Sequence, residues 1–224
     1  MRERLGKWLL SWPPLAYLVV FFLLPSLIMM FAAFRYPGDY GGLMPLTSED
    51  PATGKLTLVQ YHNVDTSGVN GLWITCGASL SPWNTHLSSE EYEPDATSIA
   101  SNTQFQAFSK NLYGDATKAN PYNYGHLPEV TVNPDGTGSI KKHYCMGRIS
   151  HELVQVMPDQ RTVLMGDDAT NGGLFMFIAD KAADLSAGTL YVAKWTQTSS
   201  VGAGSATLGW IKLGSATSAE SGVS

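Results

Sequence analysis

Two stretches of this chain carry residue types that could do chemistry. The first runs from Cys76 to Glu91 and holds a thiol, Asn84, His86 and the adjacent carboxylates Glu90 and Glu91. Thiolate and imidazole suit iron or zinc, whereas carboxylate and amide oxygens suit calcium or magnesium. Such a set could ligate a centre of mixed hard and soft character. The bland alternative is a lone cysteine packed as a small hydrophobe beside a solvated pair of glutamates. The second stretch is Ser150-His151-Glu152, followed by Gly166-Asp167-Asp168-Ala169-Thr170-Asn171-Gly172-Gly173. Adjacent carboxylates in a Gly-rich turn resemble an oxygen-rich cation loop. The pattern is not the alternating one of a helix–loop–helix calcium site. His151 is a candidate general acid or base, and its plainer reading is a satisfied structural histidine.

Other chemistries lack their signatures. No Gly-x-Ser-x-Gly elbow, no HExxH and no GxxxxGK[ST] occurs, which excludes the usual serine hydrolase, zincin and P-loop readings. Ser79, Ser81, Ser88 and Ser89 stand near the first cluster without a base at a telling spacing. The formal net charge is −5 and the pI about 5.4, which argues against nucleic acid as a partner. Two cysteines, Cys76 and Cys145, exclude a disulfide framework and leave a single bridge as the open question.

The elements that must position these clusters read as short strands and turns. The chain has 224 residues, 44% hydrophobic and only 15% charged, enough for a real core and too apolar for a disordered chain. Runs at 56–62, 71–75, 126–132, 139–145, 161–166, 173–179 and 188–195 are predicted strands, and apolar alternation returns at 208–213. The turns between them are clusters such as Asn133-Pro134-Asp135-Gly136 and Pro158-Asp159-Gln160. A short helix is predicted around residues 102–112. The sequence beyond Gly214 reads as a disordered tail of small residues, at least over 218–224. The predicted fold class is all-β, of the sandwich, barrel or propeller kind.

Residues 8–34 contain no charged side chain and are long enough for one transmembrane helix. Arg2, Arg4 and Lys7 precede this segment, so the positive-inside bias puts Met1 in the cytoplasm and the body in the periplasm. A cleaved signal peptide fits less well, because no small-residue cleavage site follows the apolar run. Residues 1–46 carry a net +2 and the rest a net −7. The predicted organisation is a membrane segment over 1–46, a β body over 47–217 and a tail over 218–224.

The body resembles a known family. CGASLSPWNTHLSSEEYEPDA, PYNYGHLPEV, MGRISHELVQVMPDQRTVLMGDDATNGGLFMFIA and DLSAGTLYVAKW together are similar to the PhoX alkaline phosphatases of bacteria, over about residues 50–217. The resemblance implies a β-propeller that holds calcium and iron and hydrolyses phosphomonoesters. It puts the iron-binding cysteine at Cys76, the Glu-Glu pair at Glu90 and Glu91, and the His-Glu pair at His151 and Glu152. The family's next acidic pair falls on Asp167 and Asp168. It also implies a longer chain, so a partial propeller is expected here. Residues 1–46 are similar to the first membrane segment of a spermidine/putrescine-type transporter permease. Two other readings compete: a membrane-anchored, non-catalytic calcium-binding β-module, and a transporter permease fragment.

Overall fold

The computed structural model describes residues 43–221, and the structure is mostly antiparallel β-sheet. Strands β1 (Leu43–Glu49) and β2 (Leu56–Asn63) form a separate hairpin. A four-stranded sheet follows in the order β3 (Ser79–Leu80), β4 (His86–Leu87), β5 (Leu127–Val132) and β6 (Gly138–His143). A five-stranded meander comprises β7 (His151–Val156), β8 (Thr162–Asp167), β9 (Leu174–Lys181), β10 (Asp184–Ser199) and β11 (Ser205–Thr217). Every strand pair is antiparallel, and neither larger sheet closes on itself.

The turn residues explain the meander. Between β5 and β6, Gly136 takes φ +82 and Asp135 Oδ1 accepts from the Thr137 N–H at 2.9 Å. Between β7 and β8, Asp159 Oδ1 accepts from the N–H groups of Arg161 and Thr162. These short polar side chains satisfy backbone donors that no strand reaches.

Alternation along the strands builds the core. Val154, Val156, Val163, Met165, Phe177 and Ala179 of the large sheet pack with Leu87 and Leu127 of the small one. Facing sheets bury such inner faces against each other. A second apolar cluster holds α1 (Thr103–Tyr113), the longest helix among the described residues, against the chain before β3. Asn102 caps α1, accepting from the Phe105 N–H at 3.0 Å, and Gly114 ends it at φ +73. Phe105 and Tyr124 pack around Trp73 with ring centroids 5.3 and 6.4 Å away.

The predicted elements and the observed ones differ in places. Residues 71–75 are not a strand; their only pairing is a bridge from Thr75 to Glu90. The Trp73 N–H donates instead to a glutamate side chain, which removes it from any ladder. Strand β7 was not among the predicted runs, because Glu152 and Leu153 both face outward and break its alternation. The chain beyond Gly214 stays in β11 to Thr217 and ends in a helical turn, α2 (Ser218–Ser221). The predicted membrane segment, residues 8–34, lies outside the described residues. Among the described residues no helix is long and apolar enough to cross a membrane.

Candidate metal centre

Four segments meet at the β7 start and β8 end. Backbone bonds fix their register: Cys76 N–H to Ser89 O at 3.0 Å, Glu91 N–H to Ile74 O at 3.0 Å, His151 N–H to Glu90 O at 3.1 Å and Asp168 N–H to Ser150 O at 2.9 Å. His151 also pairs with Asp167 across β7 and β8. From that pair to the next, Val154 with Met165, β7 advances one residue more than β8. This is a β-bulge, a device that re-aims side chains and is common beside active sites. It turns Glu152 outward while His151 stays buried.

Gly77 makes the bulge possible. A Cβ at Gly77 would lie 2.1 Å from the Glu152 carbonyl oxygen. Ser89 Oγ sits 2.8 Å from the carbonyls of both Gly77 and Glu152, tying the two approaching chains together.

Adjacent residues of the Glu-Glu pair have opposite fates. Glu90 points inward and is fully buried. Its Oε1 accepts from the Trp73 N–H and Lys142 Nζ, both at 2.8 Å, and its Oε2 accepts from the N–H groups of Gly125 and His126 at 3.0 and 3.1 Å. Burial pushes the Glu90 carboxyl up and the Lys142 amine down, and their mutual ion pair opposes both shifts. Glu91 points to the other side. Glu91 is itself mostly buried, and its carboxyl lies close enough to act on Cys76, Tyr92 and Asp168. The Tyr92 hydroxyl donates to Asp168 Oδ2 at 2.6 Å.

The structure therefore gathers Cys76, Glu91 and Asp168, with Glu152 close enough for its charge to act on Cys76. It leaves Glu90 and His151 on the inner side. Asp167 Oδ2 accepts from the Gly173 N–H at 3.1 Å, which folds the Gly-rich turn back on its own acid. His151 is wholly buried; its Nε2 is 3.2 Å from the Gly147 carbonyl and its Nδ1 has no partner. Burial pulls the imidazole down to about 4, so it is neutral at pH 7. The two cysteines are free; Cys76 is exposed, and buried Cys145 lies 3.3 Å from Ser218 Oγ.

The outward groups are acidic and lack a basic partner. Among the described residues no Lys or Arg pairs with Glu91, Glu152, Asp167 or Asp168. The Glu91 hydrogen bond and then burial push the Cys76 thiol up, with the Glu91 and Glu152 charges adding to the effect. Hydrogen bonds from Tyr92 and then Glu91 hold the Asp168 carboxyl down. Like charges crowded without a counter-charge are costly unless a cation or proton joins them. In kind, the donors fit the metals implied by the resemblance: a thiol for iron and hard carboxylate oxygens for calcium. No three His, Cys, Asp or Glu side chains among the described residues converge closely enough to enclose an ion.

Sequence reasoning missed several members of this region. Lys142 neutralises Glu90 from the β6 strand, and Glu129 forms a second buried hub with Trp83, Thr85, Lys141 and His143. Burial alone would raise the Glu129 carboxyl, but hydrogen bonds from His143, Thr85 and Trp83 hold it well below the usual range. Tyr92, whose N–H donates to Ser150 Oγ, was given no role by the sequence. The only sequence signal for Tyr92 was its place directly after the Glu-Glu pair.

No curated protein and no solved structure matches the chain. The family model described as Alkaline phosphatase PhoX matches residues 43–224, which include every described strand and all the acidic donors. The chain thus belongs to the PhoX alkaline phosphatase family.

Proposed function

We propose that this protein is a metal-dependent phosphomonoester hydrolase whose cations sit on the outward acidic face. The observation that carries this reading is the family match over residues 43–224, together with the acidic residues Glu91, Glu152, Asp167 and Asp168 that no Lys or Arg neutralises among the described residues. Cys76 would hold iron, and Glu91, Glu152, Asp167 and Asp168 would hold calcium. Bound cations supply charge neutralisation and Lewis acidity at phosphorus. Without them this face repels a phosphate dianion, since its unpaired groups are all acidic. Glu90 and His151 support these donors from beneath: the Glu90 carbonyl accepts from the His151 N–H, and neither side chain faces the solvent.

Three further parts belong to the same reading. The two larger antiparallel sheets are blades of a propeller, as their meander order suggests. Residues 8–34 anchor the chain in the inner membrane and the body faces the periplasm; the apolar run and its flanking charges support this. The substrate is a phosphomonoester.

The test is hydrolysis of p-nitrophenyl phosphate by the full-length chain after chelation and after return of calcium and iron. Turnover that disappears on chelation, returns with both metals and fails in Cys76→Ser supports the reading. Calcium binding with no turnover under any metal would favour the non-catalytic calcium-binding module.

A further inference from the structure

The five-stranded sheet is apolar on both faces. Its inner positions, Val163, Met165 and Phe177 among them, fill the core with Leu87 and Leu127. Residues directly opposite each other on paired strands share a face, so the register gives the outer face row by row. The central row runs Gln155, Leu164, Met176, Tyr191 and Lys212 from β7 to β11. Beyond the end of β9 the β10–β11 ribbon continues the same face, with Ala193 opposite Trp210 and Trp195 opposite Leu208. Trp195 is 59% exposed and Leu208 38%, while Leu164, Met176, Tyr191 and Trp210 are half-buried. Among the described residues neither apolar cluster includes any of these side chains. A contiguous apolar face left outside the core marks an interaction site.

The central row determines what fits it. From either end it runs polar, apolar, apolar, apolar, polar, and its centre is Met176 on β9, the middle strand of the sheet. A two-fold axis along β9 therefore lays the row on its own copy. Met176 meets Met176 of the second copy, Leu164 meets Tyr191, and Lys212 meets Gln155, whose amide oxygen is a neutral acceptor. No like charges are opposed, and this self-complementarity is what a two-fold interface requires. Sheets packed in this way interdigitate their side chains about 10 Å apart. Five strands about 4.8 Å apart, with the two-stranded extension, give roughly 700 Å² of face in projection. That is comparable to the about 800 Å² per partner of a standard stable interface. A lipid surface fits less well, because Lys212 is the row's one cation and residues 47–224 carry a net −7, which anionic headgroups repel.

We propose that the outer face of the five-stranded sheet docks on a second copy of this chain, in a two-fold sheet-on-sheet dimer centred on Met176. This goes beyond the propeller reading, which assigns the sheets and not the cover of this face. It does not rest on the metal-dependent reading.

The test is sedimentation velocity of the full-length chain in density-matched detergent, for wild type, Met176→Glu, Met176→Lys and an equal mixture of the two variants. Circular dichroism checks that each variant keeps the wild-type β-sheet signal. Wild type is expected to sediment as a dimer at micromolar concentration. Each charge variant opposes like charges on the axis and is expected to weaken dimerisation about 100-fold or more. The mixture is expected to recover the dimer, since opposite charges then meet. If either variant fails to fold, Met176→Cys in a Cys76→Ser background is treated with a short bis-maleimide instead. A covalent dimer is the expected product there, and monomer alone overturns the proposal. A monomeric wild type also overturns it. So does a dimer that the charge variants leave intact, which would assign the contact to another surface such as residues 8–34. Folded variants whose mixture stays monomeric overturn the axis at Met176.

Discussion

Glu90 and Lys142 form an ion pair 2.8 Å long in which both side chains are completely buried. The pair is satisfied beyond its own contact. Lys142 Nζ donates to the Asn123 carbonyl at 2.9 Å and sits 4.7 Å from the centre of the Tyr124 ring, while three backbone N–H groups reach Glu90. It joins the first acidic stretch to β6 directly behind the outward donors. Buried pairs of this kind are weak contributors to net stability but expensive to break, because one partner's removal strands the other.

Breaking the Glu90–Lys142 pair from one side is therefore expected to be severe. Lys142→Met should cost about 3–5 kcal/mol, read as a fall in the urea midpoint of the ion-free protein. The double variant Glu90→Gln/Lys142→Met should lose less than the two single losses together, since no charge is left uncompensated. Fully additive losses would mean the two side chains do not compensate each other.

Gly77 makes a second, local prediction. A methyl group there would meet the Glu152 carbonyl oxygen at 2.1 Å, a contact with backbone on both sides. Gly77→Ala should destabilise by about 1–3 kcal/mol and should also weaken calcium binding, because the bulge that turns Glu152 outward must shift. Gly166→Ala in neighbouring β8, with nothing within 4 Å of the added carbon, is the control expected to change neither. Equal effects in the two variants would refute the role given to the close approach.

Stability should depend on pH through His151. Its folded pKa of about 4 lies below the ordinary imidazole value of about 6.5. Between those values the unfolded chain binds a proton that the folded chain does not. The contribution is thus fully present above pH 6.5 and is lost as pH falls toward 4, by something on the order of 3 kcal/mol. Urea midpoints measured from pH 7 to pH 4.5 should fall over this window, and His151→Leu should flatten the fall. A profile unchanged by the substitution would assign the loss to other groups. Glu129 acts lower on the scale, since its depressed carboxyl contributes stability that is lost only below its ordinary range.

Tyr92 should show the cost of its left-handed backbone in stability. Tyr92→Gly removes the steric cost of φ +50, about 1–3 kcal/mol for a strained residue, against about 1 kcal/mol of added chain entropy. The variant is expected to be as stable as wild type or more so by up to about 2 kcal/mol, read as its urea midpoint. A clear loss of stability would show that the tyrosine is kept for packing.

The sequence by itself determined the local architecture. Val, Leu, Tyr and Phe runs separated by Asn, Asp, Pro and Gly clusters specify strands and tight turns, because those preferences act within a few residues. The helix near 102–112 was also legible, and its cap at Asn102 is seen in the structure. The donor types in both acidic stretches were also legible, and so was the family. What only the tertiary structure decided is which side of the sheet each donor serves. Glu90 and Glu91 are chemically identical neighbours, and nothing local separates them; Lys142, distant in sequence, pairs with Glu90 alone and leaves Glu91 to the acidic side. His151 and Glu152 part in the same way, through a bulge that depends on the absent side chain of Gly77. The hydrogen bonds of Tyr92 to Ser150, Trp73 and Asp168 likewise exist only once the fold brings these residues around it. Pattern and propensity are properties of neighbours along the chain, whereas charge compensation and close approach are properties of neighbours in space.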